Sequence, residues 1–338
     1  MGYRIFLAVA LFVFVGGCEN QDLFNNANQN VKSSQPFDAS KLAGEAIDVV
    51  KAGLRDENGM VKTNAIEVVA STKQKQLMDE VLDQLDDERV PVRFSALLAV
   101  GDLEYKTAKR RIEPMFSDEN ENVKMAVAYA MQKLGDGKYQ ELYARWLKSS
   151  NQTVRANAAL LLGKLGSSQA IPMLKAMLVD TQSSDQARYQ AVEAMAMLHD
   201  EKAYPKIWTM LISAFADVRV MGIRSMGALG TQKARDAMVT LLDDDVLEVR
   251  LAAAEQLAAL GENTGAIVVK EYLEGRGDGA DASNDRAKML AALAIGQIGT
   301  AEVTTYLPGL LRSQSPMVRL AAAKSVLLLN QKQTANLQ

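Results

Sequence analysis

The sequence predicts an all-α fold: a right-handed α-solenoid of about eight two-helix repeats with an unpaired helix at each end. Three observations predict it. A small-apolar and basic dyad recurs nine times, at steps of 31, 31, 31, 33, 31, 31, 38 and 31 residues. Apolar residues follow each dyad at helical spacing, and glycine closes most of the helices so marked. With 338 residues, 48% of them hydrophobic, the chain is also too long for one ordinary compact domain and must divide or repeat.

The first helix of each repeat starts at the dyad. Its basic members are Lys62, Arg93, Lys124, Arg155, Arg188, Arg219, Arg250, Lys288 and Arg319. Five residues before the Val or Ala position is a turn, and Asn or Ser stands three before it at Asn58, Asn120, Asn151, Ser184, Asn284 and Ser315, where a side-chain oxygen caps the first amides. Four residues after the Val or Ala comes a column of small residues, Ala65, Ala96, Ala158, Ala191, Gly222, Ala253, Ala291 and Ala322, broken only by Val127. Such a column marks a close helix-helix contact. Apolar columns eight and eleven residues on complete one stripe, and Gly135, Gly166, Gly230, Gly261 and Gly299 supply the left-handed stop.

A second helix follows, with its stripe at Val81, Ile112, Tyr143, Leu174, Ile207, Met238, Val269 and Leu307 and at a further apolar residue four later. One such pair has nothing to cover its stripe, so neighbours must stack. Residues 38–54 place Val50 and Leu54 in the second-helix columns and predict a lone first element; residues 316–330 predict a lone last one, eighteen helices in all. The array therefore runs over 38–330, followed by a tail at 331–338. Curvature is expected to make the second helices the concave lining.

The step of 31, the dyad, the alanine column and the Leu-Gly close resemble HEAT-like repeats of the phycobilisome-lyase type. That resemblance implies a ladder in which an acidic turn residue pairs with the basic residue of a dyad. Asp56, Asp87, Asp118 and Asp244 stand at the turn position. The two repeats with lengthened turns lack an acid there, and Asp180 and Asp281 are expected to take the role. Relatives among the bilin lyases and the deoxyhypusine hydroxylases are enzymes, the latter holding iron on repeated His-Glu pairs, and some HEAT glycosylases bind DNA. An enzyme of the first kind would change the absorption of a tetrapyrrole; a DNA binder would show salt-sensitive retention.

Composition argues against these alternatives. The single histidine, His199, and the single cysteine, Cys18, leave no multi-thiolate or multi-imidazole metal cluster within one chain. A net charge of −3 offers no excess of cations for phosphates. Neither a catalytic residue, a metal site nor a cofactor is expected. His199 falls in the column of terminal glycines and reads as a helix end. Lys106, Lys109, Arg110 and Arg111 read as a solvated face, and the wide turn at 274–285, with Arg276-Gly277-Asp278, reads as a surface loop.

Residues 1–17 hold one early cation, Arg4, an apolar run from Ile5 to Val15 and two glycines, a signal segment too short to span a bilayer. Val15-Gly16-Gly17-Cys18 resembles the lipobox of bacterial lipoproteins, which implies an acylated Cys18, a membrane-held mature chain and a place in the cell envelope outside the cytoplasm. Residues 18–37 are rich in Asn and Gln and read as a tether. Tyr204 and Trp208, four apart on the fifth second helix, have counterparts on other second helices that include Lys109, Glu113, Lys175, Arg235 and Lys270, and are the candidate partner-binding anchors. The expected function is a lipid-tethered scaffold or adaptor for a protein or peptide partner, without catalysis.

Overall fold

The computed structural model describes residues 37–276 and 284–335, and every regular element among them is helical. The lipobox, Cys18, nearly all of the tether, Gly277, Asp278 and Asp281 lie outside the described residues. Helix α1, Ser40–Leu54, comes first. The repeats then alternate: α2 Gly59–Ser71 and α3 Met78–Asp83, α4 Val90–Asp102 and α5 Lys109–Ile112, α6 Glu121–Lys133 and α7 Gln140–Trp146, α8 Gln152–Leu165 and α9 Ile171–Val179. They continue as α10 Asp185–Met197 and α11 Tyr204–Leu211, α12 Ala216–Leu229 and α13 Gln232–Val239, α14 Leu247–Ala259 and α15 Ala266–Leu273. The last repeat has α16 Asp285–Ile298 followed by a second helix in two pieces, α17 Ala301–Thr304 and α18 Leu307–Leu311, before α19 Pro316–Ala335. Pro308 explains the break, because it lacks an amide hydrogen and its ring crowds the Thr304 carbonyl.

Local chemistry marks the helix ends. Side-chain oxygens of Asn58, Asn120, Asn151, Ser184 and Asn284 accept from backbone amides two or three residues on. In the glycine column the backbone is left-handed at Gly135, Gly166, Gly230, Gly261 and Gly299, and equally at Lys73, Glu104 and His199. Those are the only described non-glycine residues with positive φ. His199 is thus a helix terminus, its amide donating to the Ala196 carbonyl.

The small column is fully buried from Ala65 to Ala322. At Gly222 an added Cβ would lie 2.9 Å from Leu211 Cδ2 and 3.0 Å from Met210 Cβ, so this column seats the preceding second helix. A further column of small residues, five positions later, joins successive first helices. A Cβ at Gly163 would meet the Ala194 backbone at 2.9 Å, and one at Gly296 would meet Ser325 Oγ at 2.5 Å.

The described residues form two compact units. One is Leu54–Ile207; the other joins residues 37–53 to residues 208–335. Within the first, Lys164 of α8 reaches Asp102 of α4 at 3.0 Å, passing over α6, with the buried Tyr129 hydroxyl also donating to Asp102. Within the second, Arg286 of α16 bonds Asp217 of α12 past α14. Each of these contacts links the first helices of alternate repeats across the one between them.

The terminal helices are not left alone. Helix α19 continues past Asn330 to Ala335, since Asn330 takes no left-handed turn and the following residues favour helix. From that extension the Gln333 amide donates to the Phe37 carbonyl at 2.9 Å, and its oxygen accepts from the Ala39 amide at 3.1 Å. Arg312, in the turn before α19, holds Glu45 of α1 through two bonds of 2.9 and 3.1 Å. A second helix without a first and a first without a second, as the register left them, are joined within one unit.

Candidate functional site

The basic ladder comes first because it positions the turns. Lys62 bonds Asp87 at 2.9 Å, Arg93 bonds Asp118 at 3.0 and 3.3 Å, Arg155 bonds Asp180, and Arg219 bonds Asp244 at 2.7 Å. Each of these pairs spans 25 residues and so links one repeat to the turn of the next. Asp180, in a lengthened turn, does stand opposite Arg155. Where the turn offers Ser instead of Asp, the cation turns to its own repeat: Lys124 to Glu121 at 3.7 Å, Lys288 to Asp285 at 3.6 Å, Arg188 to Asp185 at 3.1 Å. Asp56 accepts from the Asn58 amide at 2.8 Å.

The arginines make a second contact that pairing with acids did not suggest. Arg93, Arg155, Arg219, Arg250 and Arg319 each donate to the carbonyl six residues before, namely Asp87, Ser149, Ser213, Asp244 and Ser313. Arg188 follows a turn two residues longer and reaches Asp180, eight before. The guanidinium fork thus ties its own turn to the next one, which a lysine ammonium lacks the geometry to do.

Electrostatics follow from these contacts. The Arg89 side chain, aided by the Lys62 ammonium, holds the Asp87 carboxyl far below the ordinary aspartate value. Burial alone would raise Asp244, but hydrogen bonds from Arg219 and the Val246 amide outweigh it and hold the group low. Tyr129 is pushed well above the usual phenol value, by burial first and the Asp102 charge second. These are structural carboxylates and phenols, all satisfied by neighbours on packed elements.

The two candidate anchors both lie on α11 and differ in exposure. Tyr204 is half-buried and belongs to the first unit; Trp208 is 40% exposed and belongs to the second. Two residues not singled out from sequence join Trp208 in the second unit: Ile212, 68% exposed, and Phe215, 73% exposed. The Ile212 amide still donates to the Trp208 carbonyl at 3.4 Å, so the two side chains share one helical face. Phe215 is the N-cap of α12, extended at φ −95 and ψ 117, and caps nothing with its side chain. Their signal lay in the columns. Position 212 corresponds to Arg55, Asp86, Ser117, Lys148, Asp243, Glu274 and Arg312 elsewhere, with Val179 the other apolar case, and position 215 is the Asn or Ser cap of six other repeats.

The remaining candidates are surface features. Lys106, Lys109, Arg110 and Arg111 are exposed, and Arg111 pairs with Asp86 at 2.9 Å. Arg276 pairs with Glu274 beside the undescribed part of the wide turn. No group of three or more metal-ligating side chains and no helix long and apolar enough to cross a membrane occurs among the described residues.

Residues 139–217 and 208–279 match HEAT repeats. The chain is similar to human deoxyhypusine hydroxylase at 17% identity, covering 78% of this chain and 99% of that one with a TM-score of 0.37. It is similar to the CpcE–CpcF complex of phycocyanin lyase from Nostoc at 18% identity, 75% and 94% coverage and a TM-score of 0.42. A HEAT-like repeats protein from the archaeon Thermococcus onnurineus shares 18% identity over 88% of this chain and 99% of its own, with a TM-score of 0.24. No curated protein matches. The chain carries HEAT repeats in an all-helical fold consistent with an α-solenoid.

Proposed function

We propose that this protein is a non-enzymatic scaffold or adaptor that binds a protein partner through its repeat surface. One observation carries the reading: Trp208, Ile212 and Phe215 are exposed together in the second unit, the last two at positions that most other repeats give to polar residues. Large side chains held by a rigid helix and its following turn suit a binding anchor, and HEAT repeats commonly serve protein interaction. Composition supports the absence of catalysis in one respect, since one histidine and one cysteine leave little imidazole or thiol chemistry.

The same proposal places the chain in a bacterial envelope, acylated at Cys18 and held outside the cytoplasm by residues 18–37. The support is the lipobox-like Val15-Gly16-Gly17-Cys18 and the short apolar segment before it. More than one acyl chain is needed for firm anchoring, at about 0.8 kcal/mol per buried methylene. Two experiments test the two halves. Cys18→Ser should abolish incorporation of a palmitate analogue and release the protein from membranes; retention of both would remove the anchor. Trp208→Ala with Phe215→Asn should lose a crosslinked envelope partner that the parent captures, and an unchanged partner set would remove this surface from the binding site.

A further inference from the structure

The same surface carries information about its occupant. Phe215 stands where Asn58, Asn120, Asn151, Ser184 and Asn284 each satisfy a helix amide with a side-chain oxygen. Its ring does neither of the things that would stabilise the fold, because it caps no amide and is 73% exposed. A local rule broken without compensation in the monomer points to use in a complex. Ile212 breaks its column in the same way. Val239, 38% exposed, occupies the position of Trp208 one repeat on, so the apolar face continues onto α13.

The next turn is acidic. Asp243, Asp244 and Asp245 follow α13, and they lie one repeat after Ile212, Ser213 and Ala214. Arg219 fastens the two turns together: its guanidinium donates to the Ser213 carbonyl at 3.0 Å, to Asp244 at 2.7 Å and to Asp245 at 2.9 Å. Arg250 adds a contact to the Asp244 carbonyl at 2.6 Å, so two guanidinium groups meet a turn that carries three carboxylates. Asp244 is taken into the contact, whereas Asp243 is exposed and the Asp245 side chain is 87% exposed. An apolar ridge thus ends beside outward-facing negative charge.

We propose that this surface binds a cationic amphipathic segment of a partner protein, its apolar side chains on Trp208, Ile212, Phe215 and Val239 and a Lys or Arg beside Asp243 and Asp245. The proposal rests on the scaffold reading and specifies its partner. The carboxylates also select against an anionic lipid surface, which would be repelled where the ridge ends.

The test uses the full chain and three labelled helical peptides of about four turns with one leucine pattern, their polar face being all Lys, all Gln or all Glu. Fluorescence anisotropy and Trp208 emission report binding. The Lys peptide should bind about tenfold or more tighter than the Glu peptide, and weaken as salt rises from about 50 to about 300 mM. Phe215→Asn and Ile212→Asp should each weaken it by about tenfold. Phe215→Asn restores a cap, so its melting temperature should hold or rise while binding falls. Asp243→Asn with Asp245→Asn should bring the Lys peptide to the affinity of the Gln peptide. If all three peptides bind alike and the apolar substitutions weaken all of them, the cationic partner is wrong and the scaffold reading stands. Should none bind, both fail at this surface. Binding instead to phosphatidylcholine–phosphatidylglycerol vesicles, lost in Phe215→Asn, would overturn the proposal in favour of a membrane contact.

Discussion

Arg312 and Glu45, 267 residues apart in the chain, form an ion pair with two hydrogen bonds, of 2.9 and 3.1 Å. Gln333 brackets the start of the same helix, α1, through Phe37 and Ala39, and the two contacts differ in what they should be worth. Arg312 is 66% exposed in its side chain, so Arg312→Ala should change stability by less than about 1 kcal/mol. Gln333→Ala removes a donor and an acceptor, each bond contributing about 0.5–1.5 kcal/mol, and should loosen α1 in particular. Hydrogen exchange is the measurement: amides of α1 should exchange faster in Gln333→Ala while those of α4 and α6 stay unchanged. Equal protection of α1 in both proteins would show that the bracket does not hold it.

Arg219 should be the most sensitive member of the ladder. It is buried, and removing it leaves Asp244, itself 8% exposed in its side chain, without its charged donor. Arg219→Met is expected to cost roughly 1.5–3 kcal/mol in urea unfolding. Arg219→Lys should recover only part of this, because an ammonium cannot reach the Ser213 carbonyl and both aspartates at once. Full recovery in the lysine variant would mean that charge alone matters and that the carbonyl contact is incidental.

The depressed carboxylates set an acid limit. Asp87, Asp180 and Asp244 are all held below the ordinary aspartate range by arginine and backbone donors. A group whose folded value is lowered stabilises fully above its unfolded value, near pH 4, and the stabilisation is lost as pH falls through the folded value. Urea midpoints should therefore hold steady from about pH 7 to about pH 5 and fall progressively below about pH 4. In Asp87→Asn the midpoint at neutral pH should be lower and the acid slope shallower; a parallel curve would exclude Asp87 from the effect.

Three residues occupy a backbone conformation suited to glycine. Lys73, Glu104 and His199 have φ of 52, 48 and 55 in the column where other repeats use glycine. Left-handed backbone costs an L-residue roughly 1–2 kcal/mol, offset in part by the entropy that glycine loses on folding. His199→Gly and Glu104→Gly should each stabilise the protein, by up to about 1 kcal/mol, read as a higher thermal midpoint. A drop in midpoint would point to a side-chain contact that outweighs the strain.

The sequence by itself determined the repeat: its period, its two helices, the caps at Asn58 or Asn151, the stops at Gly166 or Gly230 and the charged turn positions. All of these are local, set by residues a few positions apart or one repeat apart, and a 31-residue period writes them nine times over. It also held the anomaly at Phe215, legible once the cap column is compared across repeats. Only the tertiary structure decided the rest. Lys164 reaches Asp102 across an intervening repeat, and Gln333 reaches Phe37 from a helix that the period would have ended at Asn330. Such contacts depend on small rotations summed over successive helix interfaces, and no single repeat encodes that sum. Exposure is decided in the same way: periodicity assigns Ile212 and Phe215 to positions, and the packing of their neighbours leaves them uncovered.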